Sequence, residues 1–512
     1  MTYYINGKIN NVKIGNRLII LNSKENSIYK KITVKNPDII AVKYYDIIKD
    51  IHNFKFKFQQ YKDKKWIDIT PYFSIVHQIE LNQYLLDNIN LDELKIKNII
   101  TYFSKPKLNN SYIQFIKLFR SITESLWLNH NSKHNNLTHF LKFINSPDIE
   151  LTLLWENVIL YWKHLLLLKN MYQEKGYNSL YWDDLQFKIK NDNEIQLFLE
   201  KEIETLKNNP LQFSHILIAQ YYSVLGNREK AEIHFSSATE QETNWEFDFL
   251  IGQGADTYKQ NIDFSNLYAP VLQSLNNLEL NQSKLTMVVS MDEQFLRNYG
   301  PHLLLNIIAL KKYHLHIHLV SRDINTAVKT IVETQNLFES IVKYSNKNSE
   351  IIYPSFTYEL VAEEVDNIKT YSACSRFIHA NYFMNKFEND ILILDADMFL
   401  TDDLKSYISF ISQYDIGIAF SKGVTSIVPW RRVMAGNIYV KNNEKNMSFL
   451  LNTRNYILAN ISNSKTWTLD QNALTFAYEQ SLKSQDGINF YNIYKVKKPF
   501  SHPAIRKYIE QL

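Results

Sequence analysis

The sequence predicts a multidomain chain whose C-terminal half is an α/β layer on a mostly parallel sheet. A helical region and a small β-rich or mixed N-terminal domain precede it. Three observations carry this expectation. The run Ile391-Leu392-Ile393-Leu394 reads as a buried strand and is followed at once by Asp395-Ala396-Asp397. From Leu285 onward, short apolar runs alternate with helical stretches. Before that, apolar residues recur at helical rather than strand spacing. At 512 residues the chain exceeds one ordinary core, and two to three domains are expected.

Residues 1–77 alternate short apolar runs with Asn, Gly and Lys; Arg17–Leu21, Ile32–Val34 and Ile39–Val42 read as strands. Residues 78–248 form the helical region. Ile113, Phe115, Ile116 and Phe119, then Leu151, Leu154, Val158 and Trp162, fall at helical intervals. Leu225-Gly226, followed by Ala231 and Phe235 four apart, fits one tetratricopeptide hairpin of a degenerate array, or an ordinary helix pair. A protein partner bound through this region is a further expectation. Residues 249–283, with Gly252, Gly254 and Pro270, read as a connection.

Residues 284–512 carry the chemistry. Leu285–Ser290 is the first strand, a helix over 301–312 opens at Pro301, and Leu315–Val320 is the next strand. After the Asp-x-Asp strand come strands at Ile416–Phe420 and Gly436–Val440. Asp470 reads both as a site residue and as the N-cap of a helix over Asn472–Gln480.

Bulk properties exclude several classes. With 57 basic and 53 acidic residues the net charge is +4, too balanced to argue for nucleic acid. The single cysteine, Cys374, admits no intrachain disulfide and reads as a small buried filler. The first residues lack the charged start and apolar core of a signal peptide, and no run approaches the ~18 apolar residues of a membrane span. A soluble cytoplasmic protein is expected. The abundance of Lys, Asn and Ile reads as nucleotide bias, so Asn- and Lys-rich tracts carry no functional weight.

Two carboxylates at the end of a core strand are costly without a cation or partner, and hard divalent cations take carboxylate oxygens. Strand ends are also where open α/β sheets bind ligands. Asp395 and Asp397 therefore point to a cation–diphosphate site.

Other features line up in order: Tyr371 to Phe377 before the Asp pair, then Met434-Ala435-Gly436-Asn437, then Trp467-Thr468-Leu469-Asp470-Gln471, and finally Ser501-His502-Pro503-Ala504-Ile505-Arg506-Lys507. This order resembles metal-dependent glycosyltransferases of the GT-A fold, a Rossmann-like nucleotide-diphospho-sugar transferase architecture. The closest resemblance is to the retaining group containing glycogenin and the lipopolysaccharide galactosyltransferases, and it covers the C-terminal half only. It implies that Asp395, Asp397 and His502 hold Mn²⁺ or Mg²⁺, and that Lys507 and Arg376 contact donor phosphate or sugar. Asp470 and Gln471 would form the sugar and acceptor pocket, with Gln471 under the anomeric carbon. Asp292 and Asn298 would lie in the nucleotide-base loop. Where the family has Asn before Ala-Gly this chain has Met434, so one sugar contact is lost or moves to Asn437. The implied donor is a nucleoside-diphosphate sugar, UDP-sugars first, and the acceptor a glycan, lipid or protein.

Two other classes compete. A haloacid-dehalogenase-like phosphohydrolase also places Asp-x-Asp after an apolar strand, but Met398-Phe399 follow here and the motif sits far into its domain. A non-catalytic helical-repeat scaffold with an inert α/β domain is the second.

Overall fold

The computed structural model describes strands between residues 2 and 68 and, with gaps of which 241–253 is the longest, residues 153–501. The chain divides into two compact units, Met1–Leu167 and Leu168–Leu512. This division falls inside the stretch expected as helical over 78–248.

In the first unit, β1 (Thr2–Asn6) pairs antiparallel with β4 (Ile39–Lys43). A second sheet orders β3 (Ser27–Thr33), β2 (Arg17–Asn22), β5 (Phe54–Lys62) and β6 (Lys65–Asp68), all antiparallel. The helical pattern at Ile113 to Phe119 lies outside the described residues. Helix α1 (Leu153–Glu174) carries the chain into the second unit.

The second unit begins with α2 (Trp182–Lys190), α3 (Asn193–Lys207), α4 (Gln212–Val224) and α5 (Arg228–Thr239). Asp192 caps α3 by accepting from Glu194 and Ile195 N–H, and Asn227 caps α5 by accepting from Lys230 N–H, as short polar residues do at helix starts. Gly226 turns between α4 and α5 at φ 79°, where a side chain would be strained. Both readings of the Leu-Gly signal require this hairpin. Glu479 ties it to the rest of the unit, accepting from Arg228 Nη1 at 2.9 Å and Arg432 Nη1 at 3.3 Å.

The core is a seven-stranded mixed sheet ordered β14-β12-β13-β10-β7-β8-β9. Its strands are β7 (Leu285–Met291), β8 (His314–Ser321), β9 (Ser355–Leu360), β10 (Asp390–Leu394), β12 (Ile416–Phe420), β13 (Val433–Val440) and β14 (Phe490–Asn492). β7 to β10 are mutually parallel and β13 alone runs the other way, between β10 and β12. β7 and β8 are buried at every position, as strands covered on both faces must be. Helices α6 (Glu293–Leu310), α7 (Ile324–Ser345), α8 (Ile368–Ile378), α9 (Ala380–Phe387), α10 (Leu404–Ile411), α11 (Glu444–Asn460) and α12 (Leu469–Ser484) complete the unit. Outside the sheet, β11 (Phe399–Leu400) pairs with β15 (Phe500–Ser501).

Three boundaries differ from expectation. The helix expected at Pro301 starts at Glu293, because Asp292 captures Phe295 N–H at 2.8 Å; Pro301 sits inside the helix. β13 begins at Val433 rather than Gly436, since Met434 pairs with Ala419 and Val433 with Phe420. α12 begins at Leu469, so Asp470 lies in its first turn and is not its cap; the cap position is Thr468, which makes no side-chain capping bond.

Candidate active site

β8 lies on one side of β7 and β10 on the other, so the chain reverses its direction of travel across the sheet between these two strands. Open α/β sheets bind ligands in the crevice at the carboxyl ends of such a strand pair. Here Asp292 follows the end of β7 and Asp395 the end of β10, and both line a cavity of about 680 Å³. That volume is in the range of small-molecule sites.

The floor is set by β10 and β13. Asp395 N–H donates to Gly436 O at 3.0 Å, extending the antiparallel ladder one step past Leu394↔Asn437. The Asp395 carboxylate then lies over Gly436, where a Cβ would stand 2.5 Å from Oδ2. Glycine is thus required for that carboxylate to occupy its place. Asp397 lines the same cavity, and the Ala396 side chain between them packs into the core.

Arg376 organises the wall. It sits on α8, buried to 2% exposure, where Ser290 Oγ accepts from its N–H at 3.1 Å. Its Nη1 donates to Leu394 O at 3.1 Å and ion-pairs with Asp395; its Nη2 lies 3.3 Å from Asp470 Oδ2. One guanidinium therefore joins the end of β10, the first carboxylate of the Asp-x-Asp pair and the first turn of α12. Charged, bifurcated contacts of this kind are strong and directional.

Burial pushes the Asp470 carboxyl up to about 6, the Arg376 charge opposing and the Asp395 charge adding to the rise. Gln471 amide nitrogen, in the orientation that satisfies its surroundings, donates to Trp430 O at 2.7 Å and Val433 O at 3.1 Å. Thr468, at φ 77°, holds a left-handed conformation that is strained for a β-branched residue, and with half-exposed Trp467 it lines the cavity mouth. Strain of this sort clusters at ligand sites.

The structure thus brings together Asp292, Arg376, Asp395, Asp397, Asn437, Asp470 and Gln471 around one cavity. Asn298 is exposed on α6 and is not among the described lining residues. His502 and Lys507 lie outside the described residues, although Ser501, directly before His502, is paired with Phe399, two positions past Asp397. Cys374 is fully buried, and burial raises its thiol well above the ordinary range. Sequence reasoning missed Ser290 as a lining residue, and it gave Thr468 and Met434, both within motifs it singled out, no contact of their own. The β13–β12 ladder that holds Met434 at the cavity left no local trace in the sequence.

The carboxylates fit a divalent cation: two hard oxygen donors share a cavity, and Gly436 supplies a cradle that a Cβ would fill. No helix among the described residues is long and apolar enough to cross a membrane.

No protein-family model and no curated protein matches this chain. Among solved structures it is similar to the apo form of mouse xyloside xylosyltransferase 1, at 14% identity and a TM-score of 0.26, over 41% of this chain and 84% of that one. It is also similar to the apo structure of the WbbM bifunctional glycosyltransferase, at 11% identity and a TM-score of 0.28. That match takes 50% of this chain and spans about half, 51%, of WbbM. Likeness at this level leaves the activity to be read from the site.

Proposed function

We propose that the second unit is a metal-dependent glycosyltransferase of GT-A type, taking a sugar from a nucleoside-diphosphate donor, UDP-sugars first, to a glycan, lipid or protein acceptor. The observation that carries this reading is the Asp395–Asp397 pair at the floor of a cavity at the switch point, with Arg376 and Asp470 in its wall. A bound Mn²⁺ or Mg²⁺ would neutralise charge on the departing diphosphate. Asp395 and Asp397 would hold it, His502 being the third ligand and Lys507 a phosphate contact. The β11–β15 pairing supports a tail that reaches this site.

The chain's own residues do the rest. Arg376 fixes the Asp395 and Asp470 carboxylates before any ligand arrives, so little reorganisation is needed at the moment of reaction. Asp470 holds sugar hydroxyls, Gln471 lies below the anomeric carbon, and Asn437 takes the sugar contact that Met434 cannot make. Base recognition belongs to Asp292 at the end of β7. In the transfer, the acceptor oxygen bonds to the anomeric carbon as the bond from that carbon to the diphosphate breaks. The acceptor proton passes to the departing diphosphate, and configuration is retained. Gln471, an amide, cannot be the base that inversion requires. A phosphohydrolase is disfavoured because the Asp pair follows β10, the fourth strand of the sheet in chain order, rather than lying near the start of the domain.

A panel of nucleotide sugars with Mn²⁺ tests the reading. Nucleoside diphosphate should be released from at least one donor, EDTA should stop it, and Asp397→Asn should abolish it with the thermal midpoint unchanged. Release that is indifferent to EDTA and to Asp397→Asn would place the chemistry elsewhere. Proton NMR of the first product from an α-linked donor should show an α linkage.

A further inference from the structure

A second cluster of ligand atoms lies away from the cavity, between β8, β9 and the α8–α9 junction. His314, His316 and His318 alternate along β8 and are all buried. His318 Nε2 is 3.1 Å from Glu359 Oε1 and His379 Nε2 is 2.9 Å from Glu359 Oε2. The ligand atoms of these three residues all lie within 4.8 Å of one another. Glu359 and His318 have no exposure at all, and none of the three lines the cavity described above.

A carboxylate at zero exposure is among the costliest groups to bury unless a cation compensates it. No lysine or arginine among the described residues pairs with Glu359; its neighbours are the two imidazoles, the Ser375 hydroxyl and the Tyr371 hydroxyl at 3.4 Å. Two imidazole nitrogens and one carboxylate form a borderline donor set that suits Zn²⁺ rather than the oxygen-seeking Mg²⁺ or Ca²⁺. We propose that His318, Glu359 and His379 form a buried structural zinc site, with the hydroxyl of Ser375 or Tyr371 as the fourth ligand.

Two further features fit. A ligating histidine usually binds a polar partner through its other ring nitrogen, and His318 Nδ1 meets Thr357 Oγ1 at 2.8 Å, a hydroxyl that also meets His316 Nε2 at 2.9 Å. Phe383 packs against the His316, His318 and His379 rings, forming a dry shell. With Zn–N distances of about 2.0–2.1 Å, two nitrogens of a tetrahedral site stand about 3.4 Å apart, so ligand atoms that lie within 4.8 Å of one another need a closure of about 1.4 Å at most. On binding, the proton that His318 now shares with Glu359 through Nε2 would pass to Nδ1, where Thr357 Oγ1 can accept it; only a doubly protonated ring would lose a proton to solvent. His379 is both the last cap of α8 and the first of α9, three residues after Arg376, so the ion would fasten the helix that carries Arg376.

This proposal does not rest on the transferase reading. Its test is elemental analysis of full-length protein purified from zinc-supplemented cells and then denatured. Wild type should release about one zinc per chain, and Asp397→Asn, which alters only the cavity, should release the same. His379→Ala should hold roughly tenfold less. Wild type refolded with Co²⁺ should show the visible absorption of tetrahedral cobalt, which keeps the test open if His379→Ala fails to fold. Wild type with no zinc and no cobalt band would overturn the proposal and leave a proton-sharing His–Glu–His network.

Discussion

Arg376 holds two carboxylates with one guanidinium, and this makes the charge state of Asp470 a measurable variable. Burial raises its pKa to about 6 from 3.8, so the carboxyl is protonated below that pH and ionised above it. A raised folded-state pKa means that Asp470 stabilises the fold fully below about pH 4 and loses that contribution as pH climbs through about 6. Relative to wild type, Asp470→Asn should therefore gain thermal midpoint between about pH 4 and pH 7 and then level off. A flat difference would show that the carboxyl titrates normally. Turnover should have an acid limb near pH 6 in wild type that the variant's residual activity lacks. Gly436→Ala makes a second demand. The new Cβ meets Asp395 Oδ2, a side-chain end, and Met398 Cε at 3.0 Å, so it displaces the carboxylate rather than the strand. Stability should fall by only about 1 kcal/mol while cation-dependent diphosphate binding weakens at least tenfold, as calorimetry would show.

At the scale of elements, α12 is the member with most at stake. Its Glu479 is the carboxylate shared by Arg228, from the helical hairpin, and Arg432, each guanidinium almost wholly buried. Glu479→Ala leaves two buried cations without that partner, and chemical denaturation should show a loss of about 3 kcal/mol. An unchanged midpoint would mean that the cation–π contacts of Arg228 over Tyr258 and Arg432 over Trp182 suffice alone. At the other end of α12, Thr468→Gly removes left-handed strain and should raise stability by about 1 kcal/mol, with a higher KM for donor as the mouth loosens. The strands were legible in sequence because burial on both faces writes itself as a near-continuous apolar run, broken in β7 only by buried Thr286 and Ser290. Helix starts were less so. A single capping contact at Asp292 and one left-handed residue at Thr468 decided them, and neither changes hydrophobic periodicity. The His314–His316–His318 alternation was plain in the sequence, but its partner Glu359 lies on another strand, and only pairing of β8 with β9 brings them together.

For the whole molecule, the proposed chemistry belongs to the second unit by itself, and a protein of residues 153–512 should keep donor hydrolysis within about threefold of full length if that unit is an independent domain. Loss of hydrolysis in a fragment with intact circular dichroism would give the first unit a part in the reaction. Sheet order, unlike strand identity, was invisible in sequence, because β9 and β10 are consecutive in the chain yet have two strands, β7 and β8, between them. That order leaves β13 running against its neighbours, and it therefore brings its beginning, not its end, to the carboxyl edge of β10. Every other sheet strand that reaches the cavity edge is continued by a turn that must feed the next element. Met434 instead sits one residue into its strand, locked to Ala419 by main-chain pairing and 38% exposed on the cavity side. Exchanging that one side chain leaves the hydrogen-bonded frame intact, which makes position 434 a cheap point of divergence. A different side chain at this position would reshape the cavity while every carboxylate that lines it stays where it is.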